Sequence, residues 1–135
     1  MQRKRRKDLL PGENVELPAP RGGHAMCIIG NPPDYIVIYG GSSQEILDET
    51  SSSIAKLKVT LDDMWVYSTE TLLWSRIFMN SDAPPRREFP VMTTVKQDRL
   101  LLLYGGMIGQ KLFGDMWQYN LNSNMWYELK FKQSF

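Results

Sequence analysis

Few residues of this chain could do chemistry, and they are scattered along the sequence. Asp62 and Asp63 are adjacent, and Asp115 is a third acid in a similar setting. Paired carboxylates support acid–base catalysis only where their surroundings separate their pKa values. Asp63 and Asp115 each precede the same Met-Trp dipeptide, and acids repeated in this way are typical of turn chemistry. We therefore expect no catalytic role for them.

The other reactive side chains occur singly. His24 is the only histidine and Cys27 the only cysteine in 135 residues. A structural zinc site takes about four His or Cys ligands, so the sequence predicts no such metal site. Cys27 lies between two apolar residues, which favours a small buried hydrophobe over a nucleophile. For His24 we expect a packing or hydrogen-bonding role at a strand edge.

Two double glycines raise the question of phosphate binding. Gly40-Gly41 and Gly105-Gly106 each end an apolar run. A phosphate loop would need a helix N-terminus after it, with a Lys-Ser/Thr or Gly-x-Gly-x-x-Gly pattern, and neither pattern follows. Glycine also reaches positive φ without penalty and lets another backbone approach closely. We therefore predict sharp turns at the ends of buried strands, and no cofactor.

The charge balance separates a basic head from an acidic body. Five of the 16 Lys and Arg residues lie in "RKRRK" at residues 3–7, which leaves 11 basic against 15 acidic residues. This gives no reason to expect nucleic acid on the folded surface. The basic run resembles a nuclear-import signal or a tether, and is also typical of a solvated terminus. With a single cysteine and no run of roughly 18 apolar residues, we expect a cytoplasmic protein that associates with no membrane and has nuclear access through residues 3–7.

One unit occurs twice, which is the signature of a repeat protein. Three segments recur in the same order: "PAPRGGHAMCII" (18–29) with "APPRREFPVMTTV" (83–95), "YIVIYGG" (35–41) with "LLLLYGG" (100–106), and "LDDMWVYSTETLLWSRI" (61–77) with "FGDMWQYNLNSNMWYEL" (113–129). Arg21 and Arg86 are then 65 residues apart, as are Gly40 and Gly105. We expect the two arginines to bridge strands in equivalent places, whereas Arg87 stands outside the repeat.

The tryptophans reveal an insertion in the first copy. Trp65 and Trp117 are 52 residues apart, as are Trp74 and Trp126. The change from 65 to 52 places 13 extra residues between the first double glycine and the first tryptophan. Residues 42–60 are rich in Ser and charge, so we predict a surface loop there. The regular spacing of the tryptophans favours packing between layers over base stacking or sugar binding.

Each copy reads as four short β-strands. The predicted strands are 24–29, 35–39, "MWVY" and the run after Trp74 in the first copy, and 89–95, 99–104, "MWQY" and the run after Trp126 in the second. The second strands are apolar at successive positions, which indicates burial on both faces. The third and fourth strands are joined by "STETLL" and "NLNSNM", which have the Ser, Thr and Asn typical of tight turns.

This order of residues resembles the kelch repeat. The shared pattern is Pro-Arg-x-x-His, an apolar strand ending in Gly-Gly, Asp-x-Trp-x-Tyr, and a tryptophan nine positions after the first. The resemblance covers residues 18–129, and it departs from the pattern where Phe89 replaces histidine and where Ser68 and Asn120 stand in place of the frequent Asp. The residues assigned to the motif are Arg21, His24, Gly40, Gly41, Asp63, Trp65, Trp74, Arg86, Gly105, Gly106, Asp115, Trp117 and Trp126.

The resemblance implies an all-β fold of two four-stranded antiparallel blades, forming part of a β-propeller. The resulting division is a basic segment at 1–17, a first repeat at 18–82, a second repeat at 83–130 and a tail at 131–135. Within the basic segment, 13–17 resemble the end of a preceding blade, and the first repeat contains the loop insertion 42–60. Propellers close with about four to eight blades, so three readings stay open. The chain is part of a longer propeller, which the blade count favours; or copies assemble, for example three chains into six blades; or an open pair is capped by its termini.

The resemblance also implies a protein-binding scaffold. In this family, the loops between second and third strands and between blades commonly bind protein partners, here 42–60 and 107–113. Arg87 could hold an acidic partner group bidentately. The candidate partner-binding residues are Ser42, Ser43, Gln44, Arg87, Met107, Gln110 and Lys111. The alternative is a carbohydrate-modifying propeller similar to galactose oxidase or sialate mutarotase, although one His and one Cys make copper oxidase chemistry implausible.

Overall fold

The computed structural model describes residues 16–30, 34–46, 56–97 and 99–132. Within these ranges the regular elements are β-strands, and no helix there could span a membrane. The strands are β1 Ala25–Ile29, β2 Tyr35–Tyr39, β3 Ser42–Ile46, β4 Lys56–Thr60, β5 Met64–Ser68, β6 Leu73–Ile77, β7 Val91–Val95, β8 Leu100–Tyr104, β9 Met107–Ile108, β10 Lys111–Leu112, β11 Met116–Asn120 and β12 Met125–Leu129.

Two antiparallel sheets of four strands are built alike. The strand order is β1-β2-β5-β6 in the first sheet, which we call blade 1, and β7-β8-β11-β12 in the second, blade 2. Strands β1 and β7 contact each other, so the first strand of one blade lies against the first strand of the other. The prediction of an all-β fold with two four-stranded antiparallel blades is confirmed.

Each blade also carries a small hairpin after its double glycine. In blade 1 the hairpin is β3–β4, with Ser42 opposite Thr60 and Gln44 opposite Lys58. In blade 2 the much shorter hairpin β9–β10 occupies the same place in the chain. The prediction of a loop at 42–60 is therefore wrong for the described part, because the extra residues lengthen a hairpin that both repeats possess. The middle of the insertion, residues 47–55, lies outside the described residues.

The segments leading into the two blades align differently from the prediction. Ala25 pairs with Tyr39 in blade 1, and Val91 pairs with Tyr104 in blade 2. Ala25 and Val91 are therefore 66 residues apart, whereas their partners Tyr39 and Tyr104 are 65 apart. The two spacings differ because the turn from β1 to β2 is one residue longer than the turn from β7 to β8. The predicted alignment of the two Pro-Arg dipeptides is therefore wrong by one residue.

This shift changes which residues are equivalent. Arg87 takes the place of Arg21, and Phe89 takes the place of Gly23 instead of His24. The backbone agrees, since Gly23 has a φ of +65° and Phe89 a φ of +56°. A bulky residue is uncommon in that region, so the surrounding contacts hold Phe89 there, including the bond from its amide to the Gly23 carbonyl oxygen at 2.6 Å.

The core lies between the two facing blades. Within it Trp126 packs its ring 5.7 Å from that of Tyr39 across the interface and 5.2 Å from that of Tyr119 in its own blade. Val37 and Ile38 are both buried although they point to opposite faces of β2, which confirms burial on both faces for that strand. The same prediction is wrong at the end of β8, where Tyr104 is 49% exposed. The buried residues of the cluster are Ala25, Cys27, Val37, Tyr39 and Met64 from blade 1 and Met92, Leu101, Leu103, Trp117, Tyr119 and Trp126 from blade 2.

The four tryptophans do not share one environment. Trp65, Trp117 and Trp126 are buried, whereas Trp74 is half-buried. The prediction that all four lie in the core is thus wrong for Trp74. This residue lies on the face of blade 1 turned away from blade 2, where its ring contacts that of Tyr67 at 5.1 Å.

Candidate functional site

At one end of the blades, four segments join into a continuous surface that we call the end strip. It consists of residues 20–24, hairpin β3–β4, residues 86–90 and hairpin β9–β10. Gly22 and Ser42 exchange backbone hydrogen bonds of 3.0 and 2.8 Å, and Glu88 and Met107 exchange two of 2.8 Å. Each hairpin is therefore fixed to the segment that leads into its own blade.

The double glycines allow this close assembly. The Gly41 amide donates to the Arg87 carbonyl oxygen at 2.9 Å, which ties blade 1 to the segment entering blade 2. Gly41 has a φ of +87°, and a β-carbon there would lie 2.6 Å from the Gly22 carbonyl oxygen and 2.8 Å from the His24 nitrogen. Any side chain at Gly41 would collide with backbone. His24 itself is half-buried beside this turn.

Arg87 lies beneath the strip in a buried ion pair. Its guanidinium bonds both oxygens of Asp115, at 2.6 and 2.9 Å, and donates to the carbonyl oxygens of Gly105 and Pro85 at 2.9 and 3.0 Å. It also stacks 4.0 Å from the ring centroid of Phe113. The side chain has no exposed surface, so the prediction that Arg87 binds a partner is wrong.

Blade 1 repeats this arrangement with Arg21. Its guanidinium bonds Asp63 at 2.5 and 2.9 Å, and Trp65 Nε1 donates to the same carboxylate at 2.7 Å. Arg86, which the sequence alignment placed in this role, is exposed and lies 3.6 Å from Asp62. The predicted strand-bridging role of Arg86 is therefore wrong, since the one-residue shift gives that role to Arg87.

These ion pairs keep the carboxylates charged. Burial acts to raise the pKa of Asp63, but the hydrogen bonds from Arg21 and Trp65 outweigh it and hold that pKa below its usual range. The hydrogen bond from Arg87 likewise lowers the pKa of Asp115. Two carboxylates lowered in the same direction do not divide into an acid and a base, so they serve the architecture of the strip.

A third ion pair connects the two blades through the long hairpin. Lys58 of β4 contacts the carboxylate of Glu88 at 2.8 Å, and the Glu88 side chain is almost fully buried. Hydrogen bonds from Lys58 and Ser42 lower the pKa of Glu88. The hairpin of blade 1 is thus anchored to the segment that enters blade 2. This pair could not be predicted from the repeat, because Glu88 aligns with Gly22 and has no acidic counterpart in the first copy.

The exposed surface of the strip combines basic, amide and apolar groups. Lys56, Lys111 and Gln44 are exposed, and so are the large apolar side chains Leu112 and Phe89. A cleft of about 520 Å³ lies beside the long hairpin. It is lined by Pro20, Arg21, Gly22, Ser42, Ser43, Gln44, Lys56 and Lys58.

Most of the predicted partner-binding residues lie on this strip. Gln44, Gln110 and Lys111 are exposed, whereas Ser42 and Met107 are half-buried. Ser43 is also half-buried and uses its hydroxyl to donate to the Pro20 carbonyl oxygen at 2.7 Å. Lys56 and Lys58 also lie on the strip and were not among the predicted residues. The alternation in "KLKVT" is the signal that indicates a strand with a basic face.

The arrangement offers a recognition surface. Among the described residues, no three His, Cys, Asp or Glu side chains are grouped so that they could hold a metal ion. The buried charges of the strip are engaged in ion pairs, while uncharged amides, apolar side chains and lysines face outward. Rigid hairpins with exposed side chains of mixed character can bind another molecule without a large ordering cost.

Two four-stranded blades, double glycines at equivalent turns and a repeated Arg–Asp–Trp network define a kelch-type β-propeller unit. Residues 6–135 match the family described as the KLHDC2/KLHL20/DRC7 Kelch-repeats domain. The chain therefore belongs to the kelch-repeat family, and it shares a repeat typical of protein-interaction modules.

Several curated proteins are similar to this chain over most of its length. Host cell factor homolog hcf-1 of Caenorhabditis elegans is 30% identical over 123 residues, which cover 87% of this chain and 15% of that protein. Kelch domain-containing protein 1 of Mus musculus is 26% identical over 115 residues, which cover 84% of this chain and 24% of that protein. Kelch domain-containing protein 2 of Homo sapiens is 29% identical over 109 residues, with coverages of 75% and 25%. The chain spans about a quarter or less of each.

Proposed function

We propose that this chain is a non-catalytic scaffold module that binds a protein partner through the end strip. The observation that carries the proposal is the anchoring of both hairpins to one rigid platform. Three ion pairs, Arg21–Asp63, Arg87–Asp115 and Lys58–Glu88, lie at its base. They fix the outward-facing side chains before any partner arrives, which lowers the entropic cost of binding.

The surface chemistry supports a protein partner. Exposed apolar side chains such as Leu112 and Phe89 lie on the same strip as Lys56 and Lys111. Protein interfaces combine an apolar centre with a polar rim, and this strip presents both. Membership of the kelch-repeat family supports the same class of function.

A matched pair of double variants tests the proposal. The strip variant carries Gln44→Ala with Lys111→Glu, and the control carries Gln97→Ala with Lys96→Glu in the turn between β7 and β8. All four residues are exposed, and both variants change charge and size by the same amounts. Partners captured by the immobilised wild-type chain are quantified by mass spectrometry against each variant.

We expect a partner that the control retains and the strip variant loses by at least about tenfold, as removal of an interface anchor does. Equal capture by both variants, or loss in the control alone, would contradict the proposal. Folding of each variant is verified by its thermal unfolding midpoint, so that a loss of binding is separated from a loss of structure.

We further propose that the chain is cytoplasmic and enters the nucleus through the basic run at residues 3–7, which lies outside the described residues. The support is its density of five Lys and Arg residues in succession, a composition typical of import signals. A fluorescent fusion should accumulate in the nucleus, and replacing residues 3–7 by alanine should abolish that accumulation. An unchanged distribution would refute the proposal.

A further inference from the structure

Phe89 combines a strained backbone with an exposed ring. Its φ of +56° lies in a region where glycine is usual, and Gly23 holds the equivalent position in blade 1. A bulky residue adopts that region at a cost in conformational energy. Burial of the ring offsets little of this cost, since the residue is 62% exposed. Strain at a residue whose side chain faces solvent is typical of a binding site.

The Phe89 ring lies over the junction between the two blades. A β-carbon added at Gly23 would lie 3.0 Å from the Cε1 atom of this ring, and the Phe89 amide donates to the Gly23 carbonyl oxygen. Phe89 thus extends from the segment entering blade 2 onto the segment entering blade 1. The junction has a described blade on either side, so the position of the ring is set within this chain.

The long hairpin β3–β4 brings positive charge beside this ring. Opposite residues of an antiparallel pair share a face, as do residues two apart on one strand, so Ser42, Lys58 and Lys56 lie on one face of the hairpin. Ser42 and Lys58 both bond the Glu88 carboxylate, which places this face over the residue that precedes Phe89. Lys56 lies farther out along the same face and is exposed.

The cleft of about 520 Å³ beside the hairpin has a basic lining. It includes Gly22, the neighbour of the glycine beneath the Phe89 ring, and its charged residues are Arg21, Lys56 and Lys58, with no acidic residue among them. Arg21 and Lys58 have acidic partners within the chain, whereas Lys56 makes no ion pair with another described residue. The cleft therefore favours an anionic group from outside the chain.

We infer that this junction binds an extended peptide segment in which a large apolar side chain stands next to an acidic one. The inference rests on the proposed function and deepens it by naming the chemistry of the partner. The apolar side chain packs on the exposed ring of Phe89, and the carboxylate enters the cleft beside Lys56. A buried aromatic anchor contributes much of the binding free energy, and the charge fixes the orientation of the segment.

A single-stranded nucleic acid is the other occupant that a ring beside lysines can hold, because bases stack on aromatic side chains. The charge of the junction favours a peptide. The guanidinium groups of Arg21 and Arg87 are engaged by Asp63 and Asp115. Few cations are then left to follow a row of phosphates, whereas a single carboxylate needs only the lysines of the cleft.

Selection from a phage-displayed library of random linear peptides on the immobilised 135-residue chain tests the inference. We expect enrichment of an acidic residue beside a large apolar one. The enriched peptide is synthesised with both ends blocked, and its affinity is measured by fluorescence anisotropy. Phe89→Gly and Lys56→Glu should each weaken binding by at least about tenfold. The control Phe78→Gly, which removes a ring that is 78% exposed outside the end strip, should bind the peptide as the wild type does.

Urea unfolding separates recognition from structure. Glycine adopts positive φ without penalty, so the midpoint of Phe89→Gly should stay within about 0.5 M of the wild type. Phe89→Asn is a second variant that keeps a side chain, since asparagine also tolerates this conformation, and it should lose the peptide likewise. A lower midpoint for Phe89→Gly together with unchanged peptide affinity would show that the ring only stabilises the junction, and it would overturn the inference.

The remaining outcomes separate this inference from the proposed function. A peptide that Phe89→Gly retains and the strip variant, Gln44→Ala with Lys111→Glu, loses overturns the inference and leaves the proposed function standing. A peptide that both variants retain contradicts both. Failure to enrich any peptide also overturns the inference, and binding of a labelled oligothymidylate that Phe89→Gly abolishes would then assign the junction to nucleic acid.

Discussion

Arg87 provides the sharpest test of how the two repeats are aligned. We predict that Arg87→Met destabilises the protein strongly and that Arg86→Met, one residue earlier, has little effect. The Arg87 side chain has no exposed surface and makes four hydrogen bonds, two of them to Asp115. Arg86 is about half exposed and lies 3.6 Å from an equally exposed Asp62.

The magnitude follows from the charge that the substitution leaves behind. Removing one partner of a buried ion pair costs about 3–5 kcal/mol, because the other charge is left uncompensated. Asp115 is 20% exposed and keeps a hydrogen bond from Trp117 Nε1 at 2.7 Å, so we expect the lower end, about 3 kcal/mol. The exposed pair of Arg86 is worth at most about 1 kcal/mol.

Urea unfolding monitored by tryptophan fluorescence measures both effects. With a urea dependence of about 2 kcal/mol per molar, the Arg87→Met midpoint should fall by about 1.5 M and the Arg86→Met midpoint by less than about 0.5 M. Equal shifts, or a larger shift for Arg86→Met, would refute the one-residue shift between the repeats and the buried ion pair that depends on it.

The remaining predictions concern the turns, the acids and the blade interface. Gly106→Ala should lower the free energy of unfolding by more than about 2 kcal/mol, because its β-carbon would lie 2.7 Å from a carbonyl oxygen. Gly109 has open space around it, so Gly109→Ala should lower that free energy by about 1–2 kcal/mol through its positive φ alone. Similar urea midpoints for the two variants would contradict this prediction. The lowered pKa of Asp115 contributes stability that is present above the usual value of 3.8 and is lost as pH falls through the lower folded-state value. Below about pH 4, Asp115→Asn should therefore lose stability less steeply with falling pH than the wild type does. The same slope in both proteins would contradict this prediction. Tyr39→Phe should lower the free energy of unfolding by about 1–2 kcal/mol, because the hydrogen bond to a buried carbonyl oxygen is lost. Tyr104→Phe should leave it unchanged in dilute solution. Equal effects would show that both tyrosines have the same environment.

The strands and the double glycines could be predicted from the sequence because they follow local rules. The apolar run at residues 100–104 forms strand β8, and Gly105 and Gly106 adopt positive φ in the turn that follows it. These features recur in the same order in both copies, so the repeat itself predicted the fold.

The alignment of the arginines could not be predicted with the same rules. Two Pro-Arg dipeptides gave a matching spacing of 65 by coincidence, since Arg86 and Arg87 are adjacent. The correct alignment depends on a turn that is one residue longer in blade 1, and on Phe89 adopting a conformation usual for glycine. The conformation of Phe89 is held in part by its hydrogen bond to Gly23 of the other blade, a contact that a single sequence does not display.

The environment of each tryptophan was likewise beyond sequence reasoning. Trp74 and Trp126 occupy the same position in their repeats, yet one is half-buried and the other fully buried. The sequence of a repeat defines a face, but the exposure of that face depends on whether a neighbouring blade covers it. The anchoring of the long hairpin by Glu88 escaped detection for a related reason, since it joins residues of two different blades.

Packing of blade 1 on blade 2 through their repeated faces is the central claim, and proton NMR tests it directly. The rings of Tyr39 and Trp126 lie with centroids 5.7 Å apart although the residues are far apart in sequence. We predict nuclear Overhauser cross-peaks between these two rings in the folded chain, which vanish in Tyr39→Leu. A folded spectrum in which Trp126 shows cross-peaks to its own blade and none to Tyr39 would contradict the packing.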